Sequence, residues 1–473
     1  MTLNGLAVDA PVYLDFAHDW LDPGTHSLLV QECHEFEAVL GAPVVFTEPP
    51  TACTRWVAER TSRGEAPSLA WDPDGATLRS RASDLDGLMA TFSLLQTLAH
   101  TSGTCVDASA AQTVDRAVER IRSECLNSYP SFDLRGLDRA TFSAGALDHR
   151  PRDWAEFLPW ATRWVAQLGD AHTAVVDHGA ARFHPPYTAE LHDVGAMMIR
   201  VPEGSSAHAA GVRPGWVVRI PDPDHWLSMV GASPQQHRRM AARSAMAVEG
   251  AQRTFVAEDP SGTHSTSWVE AATPPAGGDL VTVRRNRVGD VLIALRAFDP
   301  VSDIESVIDD VAASASTTDH MVLDLRGNVG GNIMLAGRLR DRFLRTRTLL
   351  GSVAFTDGRG GLSEPRSRWA EPSARRRWPG TLTVVVDAST YSAAEDLLVG
   401  LKGLDHVTVV GERTGGGSGR PRVIPLGPDC SLRISTAITY DRLGRPVEFH
   451  GIKPDACDSG VYCNASRVRN VGI

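Results

Sequence analysis

The run Met321-Val322-Leu323-Asp324-Leu325 is apolar and too short for a buried helix. It passes straight into Arg326-Gly327-Asn328-Val329-Gly330-Gly331 and then into a helical stretch, Ile333 to Arg345. A strand, a glycine-rich turn and a helix in direct succession make the unit of a parallel sheet, because returning to a parallel neighbour requires a crossover element. The unit recurs: strand-like Leu382 to Val386 precedes helical Ala393 to Leu404, and Val407 to Gly411 is a further strand. From Val281 onward the chain is therefore expected to be α/β.

The 473 residues allow several cores besides this one. Residues 1–104 read as an N-terminal α/β domain of unassigned role, with strands at Val12 to Leu14, Pro43 to Phe46 and Ser68 to Trp71 and a helix over Asp84 to His100. Residues 112–187 read as a helical segment with helices at Thr113 to Leu126 and Asp153 to Leu168. In the second helix Phe157, Trp160, Ala161, Trp164, Val165 and Leu168 form one apolar face, which Gly169 ends as a left-handed cap just before His172. Residues 190–272 form a third unit, and Thr273-Pro274-Pro275-Ala276-Gly277-Gly278 is a linker into the last domain, 280–460.

Charge and cysteine content exclude several classes. A net charge of -10 argues against a nucleic-acid surface, which needs clustered Lys and Arg. Met1 to Trp20 lack a basic segment followed by an apolar one, and no apolar run approaches the roughly 18–20 residues that span a bilayer. A soluble cytoplasmic protein without a membrane partner is expected. The seven cysteines are scattered, with no zinc spacing, so neither a metal nor another cofactor is implied. Cys457 and Cys463 are not expected to pair, and Asn464-Ala465-Ser466 matches a glycosylation acceptor only by chance.

Thr390-Tyr391-Ser392-Ala393-Ala394-Glu395-Asp396 also lies between a strand and a helix, which would project Ser392 at a helix start. The N–H groups of Ala393 and Gly330 could then receive the oxyanion of a tetrahedral intermediate. In isolation Ser392 and Glu395 are better read as a capping box. Two further segments change the balance: Gly411-Glu412-Arg413-Thr414-Gly415-Gly416-Gly417, and Pro446-Val447-Glu448-Phe449-His450-Gly451-Ile452-Lys453-Pro454-Asp455.

In this order, the segments resemble the catalytic domain of the C-terminal-processing (tail-specific) and tricorn-core serine peptidases, which also occurs in interphotoreceptor retinoid-binding protein. The resemblance implies a ClpP/crotonase-like core, Ser392 as nucleophile, and Gly330 and Ala393 as oxyanion donors. One branch of the family activates its serine with a lysine at the position of Gly417. The tricorn-like branch uses a histidine matching His172, oriented by a glutamate matching Glu448, and this chain follows that pattern. Such a base would titrate near the ordinary imidazole value of about 6.5. Ala171 stands where that branch has an assisting serine, and His450 is the reserve base.

Ser205-Ser206-Ala207-His208-Ala209-Ala210-Gly211-Val212-Arg213-Pro214-Gly215-Trp216 resembles the centre of a PDZ domain, with Trp216 in place of the usual Asp and a degenerate carboxylate loop at Gly195-Ala196-Met197. The function implied is a serine peptidase acting on a peptide or protein, with the PDZ-like domain governing access and self-association left open. The alternatives are an acyl hydrolase or transferase tailoring a small peptide or ester, and a non-catalytic binding protein on the same fold. Joint retention of Ser392, His172 and Glu448 argues against the last.

Overall fold

The computed structural model describes residues 2–3, 6–7, 11–15, 36–40, 42–45 and 51–456, apart from 64, 73, 75, 101–104, 149, 180, 273–279 and 287–288. The linker at 273–278, Cys457, Cys463 and the Asn464 to Ser466 triplet lie outside the described residues.

The sheet that carries the site has five strands in the order Val281–Arg285, Val291–Leu295, His320–Asp324, Thr381–Val386, Val407–Gly411. The first pair is antiparallel and the others are parallel. Its central strands are mostly apolar because helices cover the sheet: Met321, Leu323, Val384, Val386 and Val409 share one core with Leu335, Leu339, Leu397 and Leu401. The register pairs Asp324 with Val385 and Val386 with Gly411. Three parallel strands thus end side by side, and the turns that follow them emerge at one edge, where open α/β sheets place their sites.

The helical segment does not stand alone. Helices Val114–Ser128 and Trp154–Ala166, capped by the Thr113 and Asp153 side chains, bury Ile121, Phe157, Ala161 and Trp164 against Ile424, Leu426, Leu432 and Ile434. Those four residues belong to the hairpin Arg422–Gly427/Cys430–Ile434, from the last third of the chain. The strand Ala174–Asp177 joins the same hairpin, with Ala174 opposite Arg433. His172, two residues upstream, is carried to the edge of the parallel sheet by this pairing.

Residues 188–271 contain a five-stranded antiparallel sheet in the order Thr188–His192, Gly195–Arg200, Val217–Val218, Gln252–Glu258, Ser265–Ala271, with the helix His237–Ala245 packed on its first strand. Near the N-terminus a six-stranded sheet runs Val44–Val45, Val12–Asp15, Thr54–Arg60, Thr77–Ala82, Ser68–Asp72, Cys105–Asp107. The helix Leu85–His100 covers it, burying Leu88, Phe92, Leu95 and Leu98 against Trp56, Leu69 and Leu78.

Candidate active site

Ser392 opens the helix Ala393–Leu401 with φ 59° and ψ -123°, a conformation that a residue with a Cβ adopts at a cost of about 1–3 kcal/mol. The surroundings hold it there. Its N–H donates to Gly417 O at 3.0 Å, the N–H of Tyr391 donates to Asn328 O at 2.9 Å, and Ser392 O accepts from Glu395 and Asp396 N–H. Its hydroxyl makes no capping bond. Instead Ser392 Oγ lies 2.9 Å from His172 Nε2, across 220 residues of sequence. The reciprocal capping box is therefore incomplete: the Ser392 hydroxyl does not cap, and the fully buried Glu395 also accepts from Thr414 Oγ1 and from the N–H groups of Gly416 and Gly417 at 2.8 and 2.7 Å.

Gly330 and Gly331 close the wall behind the nucleophile. A Cβ on Gly330, whose φ is +98°, would lie 2.6 Å from Ser392 Cβ and 2.9 Å from Ala393 N, so only glycine fits. The N–H of Gly330, expected to serve the oxyanion, donates at 2.8 Å to Asn328 Oδ1, since the Asn328 side chain folds over its own turn. Gly331 is the glycine that lines the cavity in front of Ser392, together with Ala393. Among the described residues no acceptor takes the N–H of either Gly331 or Ala393.

Gly417 occupies the position of the absent lysine, and the reason is steric. A Cβ there would lie 1.9 Å from Tyr391 Cζ, so the phenol ring fills the space a longer side chain would need. The same ring packs on His172, centroid to centroid 4.6 Å, and directs its hydroxyl at Asp170 Oδ1 over 3.5 Å.

The carboxylate behind His172 differs from expectation. Glu448 is fully buried and near the imidazole, but one of its oxygens accepts from Arg135 Nη2 at 2.6 Å and the other from Ser418 N at 3.0 Å. His172 Nδ1 is buried with no hydrogen-bond partner. Asp170, Glu448 and His172 bring their polar atoms within 4.8 Å of one another. Asp170 accepts from His172 N at 2.8 Å, Thr173 Oγ1 at 2.8 Å and Ser435 Oγ at 2.6 Å. This is the one grouping among the described residues with the makings of a metal site, yet the Arg135 guanidinium already occupies its charge and repels a cation. His450, the reserve base, is exposed and rests its ring on Phe449.

Burial dominates the electrostatics. It lowers His172 to about 4, with Asp170 pulling up and Arg433 down. Glu448 is pushed up to about 8 by burial and by the charge of Asp170, against the pull of Arg135. Burial also pushes Asp170 up, but Arg135, His172 and its hydrogen bonds outweigh it and hold it below the usual carboxylate range. The base is thus neutral at physiological pH and ready to accept a proton, not titrating near 6.5 as its sequence context implies.

Ser392, His172, Glu448 and Ala393, the candidates the sequence offers, lie together here, and Arg135, Asp170, Tyr391 and Gly331, to which the sequence assigns no part, join them. Asp170, Tyr391 and Gly331 each lie within two residues of a group singled out, so adjacency was a usable signal. Arg135 ends the short 3-10 helix Asp133–Arg135, 313 residues from Glu448, with no local pattern to mark it.

Residues 262–457 match the family model described as Peptidase family S41. A carboxy-terminal-processing protease of Bartonella bacilliformis is 30% identical over 157 residues, 33% of this chain and 35% of that protein. The match thus spans about a third of the curated relative's length. Among solved structures, a Photosystem II D1 C-terminal processing protease superposes with a TM-score of 0.51 at 17% identity, covering 73% of this chain and 93% of that one. Mature CPAF superposes with a TM-score of 0.54 at 13% identity, covering 73% and 92%. The fold is shared with both, and residues 262–457 of this chain are similar to the peptidase family S41 domain.

Proposed function

We propose that this chain is a serine peptidase that hydrolyses peptide bonds through an acyl-enzyme on Ser392. The observation that carries this reading is the 2.9 Å contact between Ser392 Oγ and a buried, neutral His172 Nε2. In the first step Ser392 Oγ attacks the carbonyl carbon while His172 takes its proton; the carbonyl oxygen moves toward the N–H groups of Ala393 and Gly331, and the C–N bond breaks as His172 returns the proton to the leaving amine. Water then repeats the sequence on the ester. Glu448 makes no hydrogen bond to the imidazole, since its oxygens are held by Arg135 and Ser418; once ionised, it acts on the imidazolium through space.

Residues 190–272 are proposed as a PDZ-like unit on their antiparallel sheet and edge-packed helix. PDZ domains add a peptide to the sheet beside such a helix. Here Arg238 Nη1 donates to Leu191 O at 2.8 Å on that edge strand, which favours a fixed over a peptide-binding edge.

The test is covalent labelling of the full-length protein with a fluorophosphonate, read by peptide mapping, beside turnover of a peptide by wild type and Ser392→Ala. An adduct on Ser392 and a loss of about 10⁴-fold or more in the variant are expected. An adduct on another residue, or full activity in folded Ser392→Ala, would overturn the reading.

A further inference from the structure

The cavity in front of Ser392 is not built by the S41 domain alone. Its volume is about 370 Å³, toward the small end of the roughly 300–1,000 Å³ typical of ligand pockets. Its lining includes Ser392, His172 and Gly331, and also Phe36, Phe92 and Ser93. The last three precede the residues matched to the family by well over 150 positions. Phe92 and Ser93 sit on the helix Leu85–His100, and the Phe36 and Phe92 rings pack with Trp56 at centroid distances of 5.3 to 5.4 Å.

This wall is keyed to the rest of the site by one guanidinium. Arg422 Nη1 donates to Ser93 O at 2.5 Å and Thr97 Oγ1 at 3.2 Å, and Nη2 donates to Glu124 Oε2 at 2.5 Å and Ser128 Oγ at 2.7 Å. Arg422 itself lines the cavity. The cation and the Glu124 carboxylate are both buried, so this contact is shielded from water and salt.

The charged groups around the cavity are likewise engaged by the protein. Asp396 accepts from Arg368 at 2.6 and 3.2 Å, Arg422 is paired with Glu124, and Arg420 lies 5.7 Å from the Phe355 ring centroid. What the lining offers a ligand is chiefly the apolar surface of Phe36, Phe92, Ile333 and Pro421. A charged side chain entering there would lose its hydration without gaining a free partner.

We infer that the N-terminal unit is part of the substrate site, and that Phe36 and Phe92 form the wall of a subsite for an uncharged, apolar side chain beside the carbonyl attacked by Ser392. This rests on the acyl-enzyme reading above. The volume suits one large side chain with its adjoining backbone, so selection acts at a single residue.

The test uses full-length protein, a short-chain and a long-chain alkyl fluorophosphonate, and the variant Ser93→Trp, which adds bulk to the lining of the cavity. The long-chain probe should label wild-type Ser392 about tenfold or more faster than the short one, as apolar pockets discriminate by added methylenes. Ser93→Trp should remove that advantage, slowing the long-chain probe about tenfold more than the short-chain one. Ser93→Lys, less demanding of space, should shift peptide preference from apolar toward acidic side chains. Equal labelling by both probes in wild type, or equal slowing of both in Ser93→Trp, would overturn the subsite while leaving the nucleophile intact. Failure of the short probe to label Ser392 at all would instead remove the acyl-enzyme reading and the subsite with it.

Discussion

Arg135 acts on two buried carboxylates at once, and a single guanidinium cannot favour the ionised form of both equally. Asp170, with its several donors, takes the charge; Glu448 keeps its proton up to about 8. The acylation rate should therefore rise with pH in two steps. The first, near 4, is the loss of a proton from His172, which must be neutral to act as base. The second, near 8, is the ionisation of Glu448, whose new negative charge stabilises the imidazolium. Glu448→Gln should abolish the upper step and leave the lower one in place; a single limb near 6.5 in wild type would contradict this scheme. Stability is a poorer reporter, because the two shifts oppose each other. A lowered His172 makes the unfolded state bind more protons between about 4 and 6.5, so stability falls as pH drops there. A raised Glu448 makes the folded state bind more between 4.5 and about 8, so stability falls as pH rises.

The helix His237–Ala245 and the turn before it couple the antiparallel sheet to the turns around Ser392. Ser233 Oγ donates to Gly415 O, Gln235 Nε2 donates to Phe449 O at 3.0 Å, and Arg239 is paired with Glu190, Asp387 and Glu412 at 3.0, 3.4 and 2.7 Å. Asp387 in turn accepts from the N–H groups of Gly327, Ser389 and Thr390, ahead of the nucleophile. Arg239→Met should thus cost about 3 kcal/mol by stranding three carboxylates, and it should slow a small ester and a long peptide by similar factors. A loss confined to the peptide would show that the unit governs access alone, as its PDZ-like sequence implies. That sequence reveals a sheet and a helix, but not that the helix rests on the catalytic turns, because Arg239 sits in an ordinary polar stretch and its partners lie up to 173 residues away.

Across the whole molecule, the helix Leu85–His100, the helical segment and the hairpin strand Arg422–Gly427 meet at the buried pair Arg422–Glu124. Arg422→Met leaves an uncompensated buried carboxylate and should cost about 3–5 kcal/mol, while Arg422→Met with Glu124→Leu should recover most of it. Thermal melts of the three proteins, with hydrogen exchange of residues 85–100 as a local readout, check this; a double variant no more stable than the single one would refute the pairing. By itself the sequence determined the alternating strands and helices from Val281 onward, the glycine-rich turns, the helix before Gly169 and the candidate roles of Ser392 and His172. These follow from local periodicity, from turn chemistry, and from a motif order that resembles known peptidases. Only the tertiary structure decided that Gly330 spends its N–H on Asn328, that Arg135 and Ser418 hold Glu448, and that Phe36 and Phe92 reach the cavity. Each of these depends on which of several competing partners a polar or apolar group meets first, and chain closure sets that over hundreds of residues, where no short-range pattern in the sequence records it.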